Sequence, residues 1–144
     1  MISYFDTSTL IKKYVEEEGS QEVLSRWNQS DGIVISSVVF AEFFSAMNRK
    51  RREGNVSEED YEIVAQDFKE DWESSFLKIE VNDRLNQLVK KLTERYPLRG
   101  FDAIHLASAI YHAQCLEEGL FFICADRRLN DAARAENLNV IDPS

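Results

Sequence analysis

The sequence predicts an α/β fold in which a central, mostly parallel sheet is flanked by helices. Three observations carry that expectation. Short apolar runs of strand length alternate along the chain with longer stretches of helical periodicity. Leu120-Phe121-Phe122-Ile123-Cys124-Ala125 is apolar without interruption, as a strand covered on both faces should be. No repeat, low-complexity tract or long linker divides residues 1–144, so one domain is expected.

Taken in order, Ile2, Tyr4 and Phe5 suit a short buried strand, and Asp6-Thr7-Ser8-Thr9 reads as its end turning into an N-capped helix. Leu10, Ile11, Tyr14 and Val15 form one face of that helix, which should end near Gly19. Ser20 is placed to cap a short helix carrying Val23, Leu24 and Trp27, closed between Asn28 and Gly32. Ile33 to Ser37 is the second strand. From Val38 to Glu53 a helix should bury Val39, Phe40, Phe43, Ala46 and Met47 and finish in Arg49-Lys50-Arg51-Arg52. Ser57-Glu58-Glu59-Asp60 resembles a capping box and opens a helix through Tyr61, Val64, Phe68 and Trp72. Phe76 to Val81 alternates as a strand. Asn82 or Asp83 caps a helix built on Leu85, Leu88, Val89 and Leu92, stopped by Pro97. The helix opened by Gly100-Phe101-Asp102 is apolar nearly all round, which places it in the interior. A short helix from Ala132 to Glu136 and an edge strand at Val140-Ile141 complete the chain.

The composition, 44% hydrophobic and 30% charged, is that of a soluble globular protein. An acid at position 6 does not suit a signal peptide, and the longest apolar run, Ile33 to Phe44, is broken by Ser36, Ser37 and Glu42; no membrane span and a cytoplasmic location are expected. Cys115 and Cys124 lack metal-finger spacing and read as reduced structural thiols. A net charge of −9 argues against a nucleic-acid binder held by a broad basic surface, although a bound cation would cancel some of those carboxylates.

Four acids stand where a fold alone does not call for them. Asp6 and Asp126 each follow an apolar strand, Glu42 interrupts Phe40-Ala41 and Phe43-Phe44, and Asp102 stands at the mouth of the most apolar helix. Each has a plain alternative: a helix cap for Asp6 and Asp102, a turn for Asp126, a solvated helix face for Glu42. What joins them is the βα order, which brings all four to one end of a parallel sheet, the end where such sheets bind ligands. Four carboxylates in one cleft repel each other, and divalent cations remove that conflict. An all-oxygen set without a His or Cys cluster favours Mg²⁺ or Mn²⁺ over zinc. Such an ion activates water for in-line attack on phosphorus.

These residues carry a resemblance. Asp6-Thr7-Ser8 after the first strand, Ala41-Glu42 after the second, Phe101-Asp102-Ala103-Ile104-His105-Leu106-Ala107 before the last major strand and Ala125-Asp126 after it are similar to the PIN-domain nucleases, and more narrowly to the VapC toxins of VapBC toxin–antitoxin pairs. The D-A-I-H-L-A element is its most specific part. The resemblance spans essentially the whole chain and implies a PIN-like three-layer sandwich. It also implies Asp6, Glu42, Asp102 and Asp126 as metal-binding acids and Ser8 as the hydroxyl supporting the first of them. The implied activity is Mg²⁺- or Mn²⁺-dependent cleavage of RNA, leaving a 5′-phosphate and a 3′-hydroxyl. A homodimer and neutralisation by a VapB-type antitoxin whose tail fills the groove are implied with it. Asp131 is either an additional outer ligand or the cap of the Ala132 helix.

Other residues stay open at this level. Arg49 to Arg52 either grip phosphates or complement a helix dipole, and Arg99 either reaches RNA or does nothing. His105 reads as a satisfied core histidine rather than a general base, and Trp27 and Trp72 as core or dimer packing. A haloacid-dehalogenase-type phosphatase would need a second Asp where Ser8 stands. A receiver domain would place a Lys where Asp126 stands. A catalytically silent PIN-like module that binds RNA or a partner is the remaining alternative.

Overall fold

Alternation of side chains along the strands divides the interior into two cores, and this decides the layering of the protein. In the computed structural model, which describes all residues 1–144, β1 (Ile2–Phe5) is the middle strand of five. The others are β2 (Gly32–Ser36), β3 (Phe76–Ile79), β4 (Phe121–Ile123) and β5 (Asn139–Ile141). Their order is β3-β2-β1-β4-β5, and every pairing is parallel. Tyr4 sits in register with Val34 on one side and Phe122 on the other, and these three enter one core. Phe5, Ile33, Ile35 and Ile123 point the other way, into the second.

Helices cover both faces. The Phe5 core is closed by α1 (Thr7–Tyr14), α2 (Ser20–Gln29), α3 (Val39–Arg52) and α4 (Glu58–Ser74). At its centre Phe43 stacks on Phe68 with ring centroids 3.8 Å apart. The Tyr4 core is closed by α5 (Asp83–Arg95), α6 (Gly100–Ala113) and α7 (Arg127–Ala135). As its composition foretold, α6 is the most deeply set, with an unbroken buried run from His105 to Ala109. The predicted α/β sandwich is therefore present, with a sheet that is wholly rather than mostly parallel.

Caps set the boundaries, and several differ from expectation. Ser57 accepts from Asp60 N at 3.1 Å, and Asn82, not Asp83, accepts from Leu85 N at 2.9 Å. The first helix stops at Tyr14, well short of Gly19. Ser20 does not cap α2: its hydroxyl accepts from Glu17 N and donates to Val15 O, bracing the connecting turn, while left-handed Gly19 (φ 89°) occupies the cap position. The last helix begins at Arg127 because Asp126 caps it by accepting from Leu129 N at 2.9 Å. Asp131 consequently caps nothing; it lies within that helix and pairs with Arg134 at 3.6 Å. Phe40, expected in the core, is 40% exposed, because its ring lies over Phe44 and Trp72 at the edge of the second core. Cys124 is buried just beyond β4, and Cys115 is exposed in the turn after α6. No helix is long and apolar enough to cross a membrane.

Candidate active site

The strand order reverses direction at β1, whose two neighbours are reached by different crossovers, so the β1/β4 boundary is the topological switch point. Asp6 follows β1 and Asp126 follows β4, both at the C-terminal edge there. Asp6, Ser8, Glu42, Asp102 and Asp126 all line one open cavity of about 650 Å³. Glu42, Ser45, Ala46 and Arg49 form one wall, a stripe of α3 at helical spacing. Phe101, Asp102 and His105 bring α6 to the opposite side.

Each acid is held differently. Asp6 is 5% exposed and caps α1. Its Oδ1 accepts from Thr9 N at 3.1 Å and from the Thr9 hydroxyl; its Oδ2 accepts from Ser8 Oγ at 3.0 Å and from the Cys124 thiol at 3.5 Å. Burial and the charge of Asp6 push the Cys124 thiol far up, so it remains a donor. Asp6 thus caps a helix and lines the cavity at once, and Asp126, read from the sequence as a turn residue, does the same at the start of α7.

The plain reading of Glu42 as a solvated helix face does not survive. Its Oε1 accepts from Thr7 Oγ1 at 2.6 Å and from His105 Nε2 at 2.8 Å. Burial raises the Glu42 carboxyl, but the hydrogen bond and charge of His105 and the Thr7 hydroxyl outweigh it and leave the group below the ordinary carboxylate range. His105 is itself 2% exposed, and its Nδ1 lies 2.7 Å from the Tyr4 hydroxyl. Burial and the charge of Asp6 drive the Tyr4 phenol well up, so Tyr4 keeps its proton and donates to Nδ1. Accepting at Nδ1, the ring carries its hydrogen on Nε2 and donates it to Glu42. His105 is a satisfied core histidine, as expected, and it also orients a candidate site acid.

Asp102 is not a cap, since Arg99 holds the cap position of α6. No protein donor meets its carboxylate. Burial, then the charges of Asp126 and Asp6, raise it above the ordinary range against the weaker pull of His105 and Arg99. The acids therefore sense one another through space. No three of the chain's His, Cys, Asp and Glu side chains converge closely enough to hold a metal ion as they stand. The donor chemistry nevertheless fits a hard divalent cation: four carboxylates share one cleft, with neither thiolate nor free imidazole among them.

Sequence reasoning missed Tyr4, Thr7 and Cys124 as supports. Thr7 carried a usable signal, lying between Asp6 and Ser8; Tyr4 and Cys124 read only as apolar strand positions.

Fold and cleft together define an α/β domain with an acidic, oxygen-donor site at the sheet's switch point. The chain belongs to the PIN domain family, whose model matches residues 3–135. It is 28% identical over 137 residues to ribonuclease VapC45 of Mycobacterium tuberculosis, covering 95% of this chain and 92% of that protein. Among solved structures it is similar to a toxin–antitoxin complex from Klebsiella pneumoniae, with a TM-score of 0.66, 20% identity, and coverage of 99% of this chain and 98% of that one. It is also similar to VapBC2 of Rickettsia felis bound to a promoter DNA fragment, with a TM-score of 0.67, 15% identity and the same coverage. These last two likenesses concern the fold.

Proposed function

We propose that this chain is a Mg²⁺- or Mn²⁺-dependent endoribonuclease that acts in the cytoplasm as the toxin of a toxin–antitoxin pair. The observation that carries the reading is the gathering of Asp6, Glu42, Asp102 and Asp126 in one cleft of a PIN domain. The relative named ribonuclease VapC45 and the toxin–antitoxin complexes of the same fold support it.

Asp6, Asp102, Asp126 and Glu42 are the residues that would hold the cation. Held by them, a divalent ion would supply an activated water and neutralisation of charge on the scissile phosphate. The chain's own contribution is orientation. Ser8 and Thr9 fix the Asp6 carboxylate, and Thr7 with His105 fixes Glu42 through Oε1, leaving Oε2 without a protein donor. Burial and the charges of Asp126 and Asp6 hold the Asp102 carboxyl above its ordinary range. His105 is committed to Tyr4 and Glu42 and does not serve as the base. The working form is a homodimer, and the inhibiting partner is a VapB-type antitoxin whose basic tail would suit the protein's acidic charge.

The test is cleavage of total RNA by the purified chain with Mg²⁺ or Mn²⁺, with EDTA, and with Asp6→Asn, which retains the Thr9 cap and removes a charge. Discrete fragments with 5′-phosphate ends that vanish with EDTA and in the variant are the expected result. Intact RNA from a folded, metal-binding wild type would transfer the protein to the class of silent binding modules.

A further inference from the structure

Resting on that reading, we infer that Phe101 and the arginines beside it form a subsite for one unstacked nucleotide next to the scissile phosphate. A second cavity of about 340 Å³ shares Arg99, Asp102 and Asp126 with the main one and continues it past Arg127 and Arg128. The acids therefore lie in the middle of a longer groove, with Arg49 on one arm and three arginines on the other. Several cations of this acidic chain are taken up in ion pairs: Lys50 with Glu17, Arg51 with Glu58, Arg95 with Glu136 and Arg134 with Asp131. Arg49, Arg99, Arg127 and Arg128 make no ion pair, and all four line the groove.

Unpaired guanidinium groups on both flanks of an acidic centre suit a polyanion whose backbone crosses it, with the acids reserved for the cation. Phe101 supplies the second feature. Its side chain is 55% exposed on the cavity wall, between Arg99 and Asp102 in the chain, and the core does not use it. An exposed aromatic face beside phosphate-binding cations is a base-stacking platform, and a base reaches it only when it is not stacked within a duplex.

Fluorescence anisotropy on the full chain carrying Asp6→Asn, in Mg²⁺, would compare a short labelled oligouridylate with its duplex. Adding Phe101→Ala should weaken single-strand binding roughly tenfold or more with little effect on the duplex, and Phe101→Trp should restore it. Replacing Arg127 and Arg128 by Ala should lower the salt dependence of binding by about 0.7 in log–log slope for each phosphate no longer neutralised. Arg84→Ala, on the Tyr111 ring outside the groove, should match the parent. Cleavage rates of the same variants with Asp6 intact separate this inference from the reading beneath it. RNA cleaved normally by Phe101→Ala leaves the nuclease standing and removes the subsite. Binding that follows Phe101 and the arginines in a chain that never cleaves leaves the subsite and removes the nuclease. Equal affinity for single strand and duplex, or a Phe101→Ala change confined to oligomeric state, also overturns the subsite, the latter assigning the ring to an interface between copies.

Discussion

Deleting one oxygen from the buried Tyr4–His105–Glu42 chain tests whether core and site are coupled as the geometry indicates. Tyr4→Phe leaves the ring stacked on Phe122 at 5.6 Å, so packing is nearly unchanged. What disappears is the donor to His105 Nδ1, which then faces an apolar core with no partner. Leaving a buried acceptor unsatisfied costs about 1–3 kcal/mol. For a chain of this length that amounts to a fall of roughly 3–10 °C in Tm. The consequence should not stop at stability. With Nδ1 unfilled, the ring no longer has a reason to keep its hydrogen on Nε2, and Glu42 loses one of its two donors. The assay is thermal and urea unfolding of Tyr4→Phe, Glu42→Gln and the double variant, run beside RNA cleavage. Because the two residues meet through His105, the effects should be non-additive by at least about 0.5 kcal/mol. A variant that melts within a degree or so of wild type, or strictly additive effects, would refute the relay.

Further outcomes follow from the other acids, the thiols and the backbone. Asp102 is raised in the folded state, so the folded protein binds more protons there than the unfolded chain; stability falls as pH rises through that interval, and Asp102→Asn should raise the metal-free Tm at neutral pH. Mg²⁺ should raise the wild-type Tm and move this variant less, which the same melting series reads. Glu42 behaves oppositely: its lowered value stabilises above the ordinary carboxylate range and is lost as pH falls through the folded value, so Glu42→Gln should flatten the acid limb of a stability–pH curve. Titration with a thiol reagent should find Cys115 alone in the native protein and both cysteines in denaturant, since Cys124 is buried and pushed up; rapid native modification of both would contradict its placement. Gly19→Ala should destabilise by about 1–3 kcal/mol in denaturant unfolding, because a Cβ there would have φ 89° and meet Pro143 O at 2.9 Å.

The layers of this fold were legible because each strand is short, apolar and followed by a helix, a pattern that permits little besides a parallel sheet. The positions of Asp6 and Asp126 could be read for the same reason, since a residue directly after a parallel strand has one edge to occupy. Boundaries set by side chains choosing among nearby backbone donors were harder to read. The sequence offers Asp131 as a cap and Asp126 as a turn residue, whereas the helix starts early enough for Asp126 to take Leu129 N. Phe40 was misplaced because helical periodicity identifies a face and not how far α4 extends to cover it. The support of Glu42 was out of reach altogether: its donors come from α1 and α6, and the Tyr4 hydroxyl behind them from β1. Those elements are distant in sequence, and no local spacing connects them.

The division of labour among the acids follows from the same geometry. Asp6 and Asp126 each cap a helix, so their charges are partly met by backbone N–H groups and are useful to the folded chain even without an ion. Glu42 is met by Thr7 and His105. Asp102 alone enters the cleft with no protein donor and with two like charges near enough to raise it. Electrostatic strain in the metal-free site is therefore concentrated on one residue at the start of the most buried helix, where the backbone has little freedom to move it away. In the proposed enzyme, cation binding relieves that strain directly. Asp102 should accordingly contribute most to the gain in stability on binding Mg²⁺, and its replacement by Asn should separate stability from activity more cleanly than replacement of any of the three acids whose charge the fold also uses.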